Sequence, residues 1–363
     1  MKLLIDKSAL LPALTHAASV SGKSSMAILN HVLIDAKKNG DVHLRASNLD
    51  IEITAKCQAK VITPGSTTVS AQMLLDIVKN SAQGSEISMD LGDRLAIKSG
   101  RSHFNLPVLP IEDFPSFTDA SWTSQFDMSA VDLRTMLECV AFASSMEATK
   151  FMLAGVHVHA NGDRITAVGT NGHILATYDA DMIADAELLC LTIPNDAAQK
   201  IIGILTGVEG IVRVLASGSK IGIDLPTANL RAKILDGTYP DYQRVVPVDL
   251  PHKILFTTDD LRAAVRRVAN VSNEKVRGIN MMIRADGITV TAKGDGADAT
   301  DECEAEYAGP EAKFSFTVAY VLQALDAAGE NDCTMEFTKE KEPTIWRGVG
   351  NDASMTVLMP RAG

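Results

Sequence analysis

Four short stretches carry residue types that could do chemistry. In GTNGHILATYDA (169–180), His173 follows an Asn171-Gly172 pair and precedes apolar residues and an acid. A histidine on a turn can act as a general acid or base, but only with a nucleophile or acid partner in a recognisable arrangement. None is evident around it. Asn-Gly between the strand-like RITAVGT and HILATYDA supplies the positive φ angles of a type I′ turn, so the stretch reads as a β-hairpin. His157 and His159 form an HxH pair on one strand face, the spacing of a two-ligand metal site, yet no third ligand is evident nearby and a structural or surface pair is favoured. SVSGKSS (19–25) approaches a phosphate-binding loop, but that motif needs glycine at position 17, where Ala17 stands, and the stretch follows a helical pattern rather than a strand. DGADATDECEAE (295–306) has six acids and no base, without the spacing of a calcium loop; it reads as a solvated edge or the partner of a basic patch. No GxSxG, HExxH or kinase set occurs. No catalytic residue, metal site or cofactor is expected.

These residues must be positioned by a chain of 363 residues, long enough for two or three domains. It is 46% hydrophobic and 22% charged, an ordinary globular composition. No apolar run of membrane-spanning length is present, and Asp6 and Lys7 interrupt the first apolar residues, which argues against a signal peptide. Five scattered cysteines without a CxxC fit free thiols in a reducing cytoplasm.

The elements repeat three times. LLIDKSALLPALTHAASVS, QFDMSAVDLRTMLECVAFAS and ILFTTDDLRAAVRRVANVSN each read as a short strand followed by an amphipathic helix. Leu10, Leu133 and Leu261 align, 123 and 128 residues apart (133 minus 10, 261 minus 133), each beginning an i, i+4 apolar pair. A second helix recurs in the same phase, in SAQMLLDIVKNSAQG, IPNDAAQKIIGILTG and FTVAYVLQALDAAGE, each ending near a glycine. Alternating segments such as VHLRAS, RITAVG, ITVTAK and TMEFTK supply strands. Six β-α-βββ halves predict an α+β chain of three similar domains, 1–121, 122–250 and 251–363, with linkers around TDASWTS and VPVDLPHK.

The net charge of −11 argues, taken as a total, against tight nucleic-acid binding. Its distribution is uneven. Arg262, Arg266 and Arg267 lie off the apolar stripe of the 258–270 helix, SNEKVRG adds Lys275 and Arg277, and Lys23, Lys79, Arg134, Lys150 and Lys200 lie on or beside the equivalent helices. Either these helix faces are simply solvated, or an acidic protein aims one basic surface at DNA phosphates.

TNGHILA, DGTYPDYQRVVP, SNEKVRG, SGRSHFNLPVLPIEDFP, FTVAYVLQAL and VLMP together carry a resemblance to the bacterial sliding clamps, the β subunits of DNA polymerase III, from Met1 to the C-terminus. The resemblance implies three clamp-type domains per chain. It also implies a head-to-tail homodimer closing a six-domain ring, with helices lining the hole and sheets outside. Such a non-catalytic processivity factor encircles double-stranded DNA without reading sequence, because a topological hold needs only loose, salt-sensitive phosphate contacts. By the same resemblance Lys23, Lys79, Arg134, Lys150, Lys200, Arg262, Arg266 and Lys275 face DNA. Phe104 and Leu106 of one chain meet Asn270 and Val271 of the other.

The hairpin then becomes one wall of a peptide-binding groove between domains two and three, where the polymerase α subunit, the clamp loader δ subunit and repair proteins dock. The matching positions are Leu153, Thr170, Gly172, His173, Ile174 and Leu175 on one side, with Pro240, Arg244 and Val245. Tyr320, Pro343, Val357, Met359 and Pro360 complete the set. The sequence departs from the family at Ile174, often arginine in relatives, in the tail Arg361-Ala362-Gly363, and at Gln72 and Met73, where bases are common. A shallower pocket edge and a different preferred peptide are expected. Two other classes stand against the clamp: a monomeric three-domain enzyme on the same repeats, and a DNA-binding regulator. The missing catalytic constellation weighs against the first and the missing basic recognition-helix domain against the second.

Overall fold

A computed structural model describes residues 1–22, 24–117, 121–161, 164–181, 189–272, 278–294 and 296–361, save the side chains of residues 148 and 161. Six α-helices are seen among them: α1 (Lys7–Val20), α2 (Ala71–Asn80), α3 (Ala130–Ala141), α4 (Asn195–Leu205), α5 (Thr258–Ala269) and α6 (Val318–Ala328). Each is preceded by one strand and followed by three, so the six predicted β-α-βββ halves are present, with short extra strands at Lys60–Thr63 and Ala305–Glu306.

The helices form where their sequences bury one stripe. In α5 that stripe is Leu261, Ala264, Val265 and Val268, with Asp259 and Asp260 in the first turn and Arg266 and Arg267 in the last, complementing the helix dipole. In α2 the Ser70 hydroxyl accepts from the Met73 amide, and Leu74, Leu75 and Val78 turn inward. Of the predicted glycine stops, Gly329 caps α6 at φ 94°; Ser81 and Thr206 take that place in α2 and α4.

The chain divides into two compact units, Met1–Arg134 with Met182–Leu235, and Thr135–Asp181 with Asp236–Gly363. The division passes through the expected second domain. In the first unit, eight strands pair in the order Ser124–Ser129, Ile211–Ala216, Lys220–Asp224, Ala228–Lys233, Ile51–Gln58, Asp41–Ser47, His31–Ala36 and Gly65–Ser70. Ala228 to Ala232 pair antiparallel with Ala55 to Ile51, joining the second repeat to the first in one sheet. In the second unit, the order runs Gly155–Asn161, Arg164–Thr170, Ile174–Asp181, Ser354–Leu358, Thr344–Gly348, Asp332–Phe337, His252–Thr257. Here Ile174 to Tyr178 pair with Leu358 to Ser354, joining the second repeat to the third.

The linker after the first repeat lies on its own unit's sheet through aromatic rings. Phe114 sits 5.2 Å from the Arg45 guanidinium, Phe117 4.6 Å from the Lys220 ammonium, and Trp122 5.3 Å from Arg231. Among the described residues no helix is long and apolar enough to cross a membrane.

Candidate functional site

The loop at 171–173 is not the type I′ turn that Asn-Gly predicts. Gly172 has φ 91°, but Asn171 does not take a positive φ, so the second requirement of that turn is unmet. Side chains shape the loop instead. The Asn171 carboxamide oxygen accepts from the His173 and Ile174 amides at 2.9 and 3.1 Å. The Thr170 hydroxyl accepts from the Gly172 amide at 3.1 Å and donates to the Ile174 carbonyl at 2.7 Å. An Asn side chain that satisfies two amides makes the mirror-image backbone unnecessary.

Beside this loop, entirely within the second unit, lies a predominantly apolar cavity of about 290 Å³. Thr170, Gly172, His173, Ile174 and Leu175 supply one wall, Val357 and Met359 the neighbouring strand end, and Leu153 another side. Pro240 and Val245 form the lip, joined by Asp241 and Tyr242, which the sequence reading missed although both lie inside its TYPDYQRV stretch. The strand pairing explains the convergence: Thr170 pairs with Leu175, and Leu175 with Val357. The Met359 amide then donates to the His173 carbonyl at 3.0 Å. Beneath the surface Val168, Leu175, Tyr239, Ile345 and Val357 make a buried cluster.

Ten of the fourteen expected groove residues thus line the cavity; four do not. Tyr320 supports the loop from behind, its hydroxyl accepting from Asn171 Nδ2 at 3.3 Å and its ring lying 6.2 Å from that of His173. Arg244 is 83% exposed and paired to Asp241 at 2.8 Å. Pro343 and Pro360 flank the Thr344–Gly348 and Ser354–Leu358 strands, half-buried and off the cavity wall. Ile174 is 1% exposed, so the wall carries no charge at that position.

The HxH pair lies behind the lip. His157 stacks on Tyr239 with centroids 4.4 Å apart, and His159 Nε2 lies 3.0 Å from the Tyr242 hydroxyl. Burial raises the pKa of both phenols above the ordinary tyrosine value. Among the described residues no cluster of three or more histidines, cysteines or acids could hold a metal.

The candidate DNA-facing bases are not alike. Lys79 and Arg266 are exposed on α2 and α5. Arg134 is half-buried on α3, and Lys200, on α4, pairs with Asp196 at 3.7 Å. Arg262 departs from the expectation of a solvent-facing base. Only 15% exposed, it folds onto α6, bonding Asp326 at 3.0 Å, the Leu325 carbonyl at 3.1 Å and Asp259 of its own helix. Lys150 is also committed elsewhere, donating to Glu147 at 3.2 Å and to the Asn171 carbonyl at 3.3 Å. Lys23 and Lys275 lie outside the described residues.

Of the candidate interface residues, Phe104 is half-buried on the Ser102–Leu106 strand, which ends a five-stranded sheet. Leu106 is only 9% exposed and belongs largely to its own unit's core, because alternate side chains of this strand point inward. Asn270 caps α5 and is exposed; Val271 is half-buried.

Comparison with known proteins places this arrangement. Residues 1–118, 127–241 and 243–362 match, in order, the N-terminal, central and C-terminal domains of the DNA polymerase III beta subunit. The chain is 32% identical to the beta sliding clamp of Caulobacter vibrioides (strain NA1000 / CB15N) and 26% identical to that of Escherichia coli (strain K12), covering 99% of each protein and 99% of itself. Among solved structures it is similar to the sliding clamp of Bartonella birtlesii bound to griselimycin (TM-score 0.95, 30% identity, all of both chains). It is also similar to the Pseudomonas aeruginosa DNA polymerase III subunit beta (TM-score 0.92, 26% identity, all of both chains). A three-domain α+β clamp fold matched over its whole length leaves one assignment: the chain belongs to the DNA polymerase III beta subunit family, the beta sliding clamps.

Proposed function

We propose that this chain, in the cytoplasm, is the sliding clamp of a replicative DNA polymerase. Two copies join head to tail and encircle duplex DNA, and partner proteins are tethered through short peptides seated in the cavity beside His173. The observation that carries this reading is full-length membership of a family of non-catalytic processivity factors. Three clamp domains with limits near 1–121, 122–250 and 251–363 are part of the same proposal.

The cavity suits its part. Leu153, Ile174, Leu175, Val357 and Met359 offer apolar walls to apolar peptide anchors, and methionine adapts its shape to different ones. Its charged rim groups, Asp241 and Arg244, neutralise each other. A neutral, apolar-anchored peptide is therefore favoured over a strongly charged one. The exposed Lys79 and Arg266 are the better candidates for phosphate contact, and the acidic total of the chain disfavours duplex on its other surfaces.

A primer-extension assay on a loaded circular template tests the reading. Added clamp and loader should lengthen the products of one polymerase binding event, and an excess of competing apolar peptide should shorten them again. Unchanged product length with the clamp present would sink it.

A further inference from the structure

The cavity's lip has little backbone to hold it. Residues 236–250 contain one helical turn, Tyr242–Val245, and no strand. Among the described residues no backbone-to-backbone hydrogen bond ties this stretch to another segment; the Val246 amide bonds Gln243 within it. What fixes the lip against the sheet is side chains, and the two tyrosines that bracket Pro240 and Asp241 both meet histidines of the Gly155–Asn161 strand.

The two contacts differ in kind. Tyr239, 7% exposed, stacks on His157 at an interplanar angle of 5°, and packs with Leu175 and Val357 under the cavity floor. Tyr242 stands in the cavity wall itself, and its hydroxyl is 3.0 Å from His159 Nε2. His159 Nδ1 lies 3.3 Å from the Ala160 carbonyl, which can only accept. That geometry fits one tautomer: Nδ1–H donates to the carbonyl and Nε2 accepts the tyrosine proton. Both ring nitrogens are then satisfied, and the phenol is held at a fixed angle to the wall.

We propose that His159 is a positioning residue for the peptide cavity. It holds Tyr242 in the wall by accepting the phenol proton, while His157 holds Tyr239 beneath, and together they set the affinity for apolar-anchored peptides. The inference rests on the groove reading above. Neither histidine lines the cavity, so the effect passes through the tyrosines. Without His159 the lip keeps its covalent ends but loses the bond that selects one Tyr242 orientation, and a peptide must then order the wall as it binds.

The test is a fluorescence-polarisation titration of the full chain with a synthetic peptide carrying Leu and Phe anchors. His159→Leu and Tyr242→Phe should each weaken binding about fivefold, the range of one neutral hydrogen bond. The double variant should be no weaker than Tyr242→Phe alone, because the bond to His159 is already gone when the phenol hydroxyl is removed. His159→Gln, whose carboxamide oxygen can accept the phenol proton, should restore binding to within about twofold of wild type. Wild-type affinity in Tyr242→Phe, or effects that multiply in the double variant, would overturn the proposal. If His159→Leu does not fold, Tyr242→Phe and His159→Gln decide by the same criteria. Met359→Ala separates the two layers. Loss there with none in Tyr242→Phe sinks the positioning role alone, whereas no loss there, or no binding to wild type, sinks the groove reading and this inference with it.

Discussion

Arg262 of α5 donates to Asp326 of α6 across 3.0 Å, and the same guanidinium reaches the Leu325 and Gly329 carbonyls at 3.1 and 3.4 Å. A base that lies off its helix's apolar stripe is thereby a clamp between two helices, with most of its charge spent inside the protein.

Arg262→Glu should therefore cost stability, about 2 kcal/mol, by facing a carboxylate with two aspartates and two carbonyls. Arg266→Glu should leave the melting temperature nearly unchanged, because Arg266 is exposed. Thermal denaturation separates the two. Retention on closed circular DNA, measured across a salt series, should fall for Arg266→Glu. Equal melting temperatures for the two variants would refute the helix-clamping role.

At the cavity, Met359→Ala should weaken apolar peptide binding about tenfold with little effect on folding, since Met359 is 42% exposed. Leu175→Ala should weaken it too, but at a cost of about 2–4 kcal/mol in stability, because Leu175 is 3% exposed in the core cluster. His173→Gln should stay within a few-fold of wild type from pH 6 to 8, as His173 contributes the loop backbone that bonds Met359. Isothermal titration calorimetry measures all three; a steep, pH-tracking loss in His173→Gln would instead assign its ring a protonation role.

For the dimer, Val271→Glu should yield monomers, read as a halving of twice the 38.8 kDa chain mass by light scattering. Phe104→Ala should weaken association by on the order of 2 kcal/mol, the contribution of burying a phenylalanine. Leu106→Ala is a poor probe of the same contact, because its side chain already packs within its own unit. Wild-type sedimentation of Val271→Glu would remove that residue from the interface.

Acid should destabilise the chain before its carboxylates protonate. Burial lowers the pKa of His16, His31 and His43 in the folded state below the ordinary 6.5. The unfolded chain then binds more protons, so stability rises with pH in this window. The neutral histidines' contribution is complete above about pH 6.5 and is lost as pH falls below it toward their folded values. Melting temperatures at pH 7.5 and 5.5 should differ, and His16→Gln should narrow the gap. A melting temperature that is flat across this range would contradict the burial argument.

The repeated halves were legible because helix periodicity and strand alternation are local properties; Leu261, Ala264, Val265 and Val268 face inward as their spacing requires. The partners of Arg262 on α6 were not legible for a related reason. Periodicity says which side of its own helix a residue occupies, not what a helix 60 residues further along places opposite it. The loop at 171–173 was located correctly but given the wrong backbone, since Thr170 and Asn171 side chains supply bonds that the Asn-Gly rule assigns to main-chain geometry. The His159–Tyr242 contact joins residues 83 apart. No spacing rule reaches it, and both residues stood in motifs noticed for other reasons.

The seams between repeats are ladders of backbone hydrogen bonds, Ile51–Gln58 with Ala228–Lys233 and Ile174–Asp181 with Ser354–Leu358. A fragment cut at the repeat boundaries would leave these strands with bare amides and carbonyls, flanked by apolar residues such as Ile53, Leu230 and Val357. Bare strands of this kind are templates for pairing with any other copy. Proteolysis at the linkers, or synthesis halted after one repeat, should therefore produce sticky, self-associating pieces rather than independent modules, because only the neighbouring repeat covers these strands.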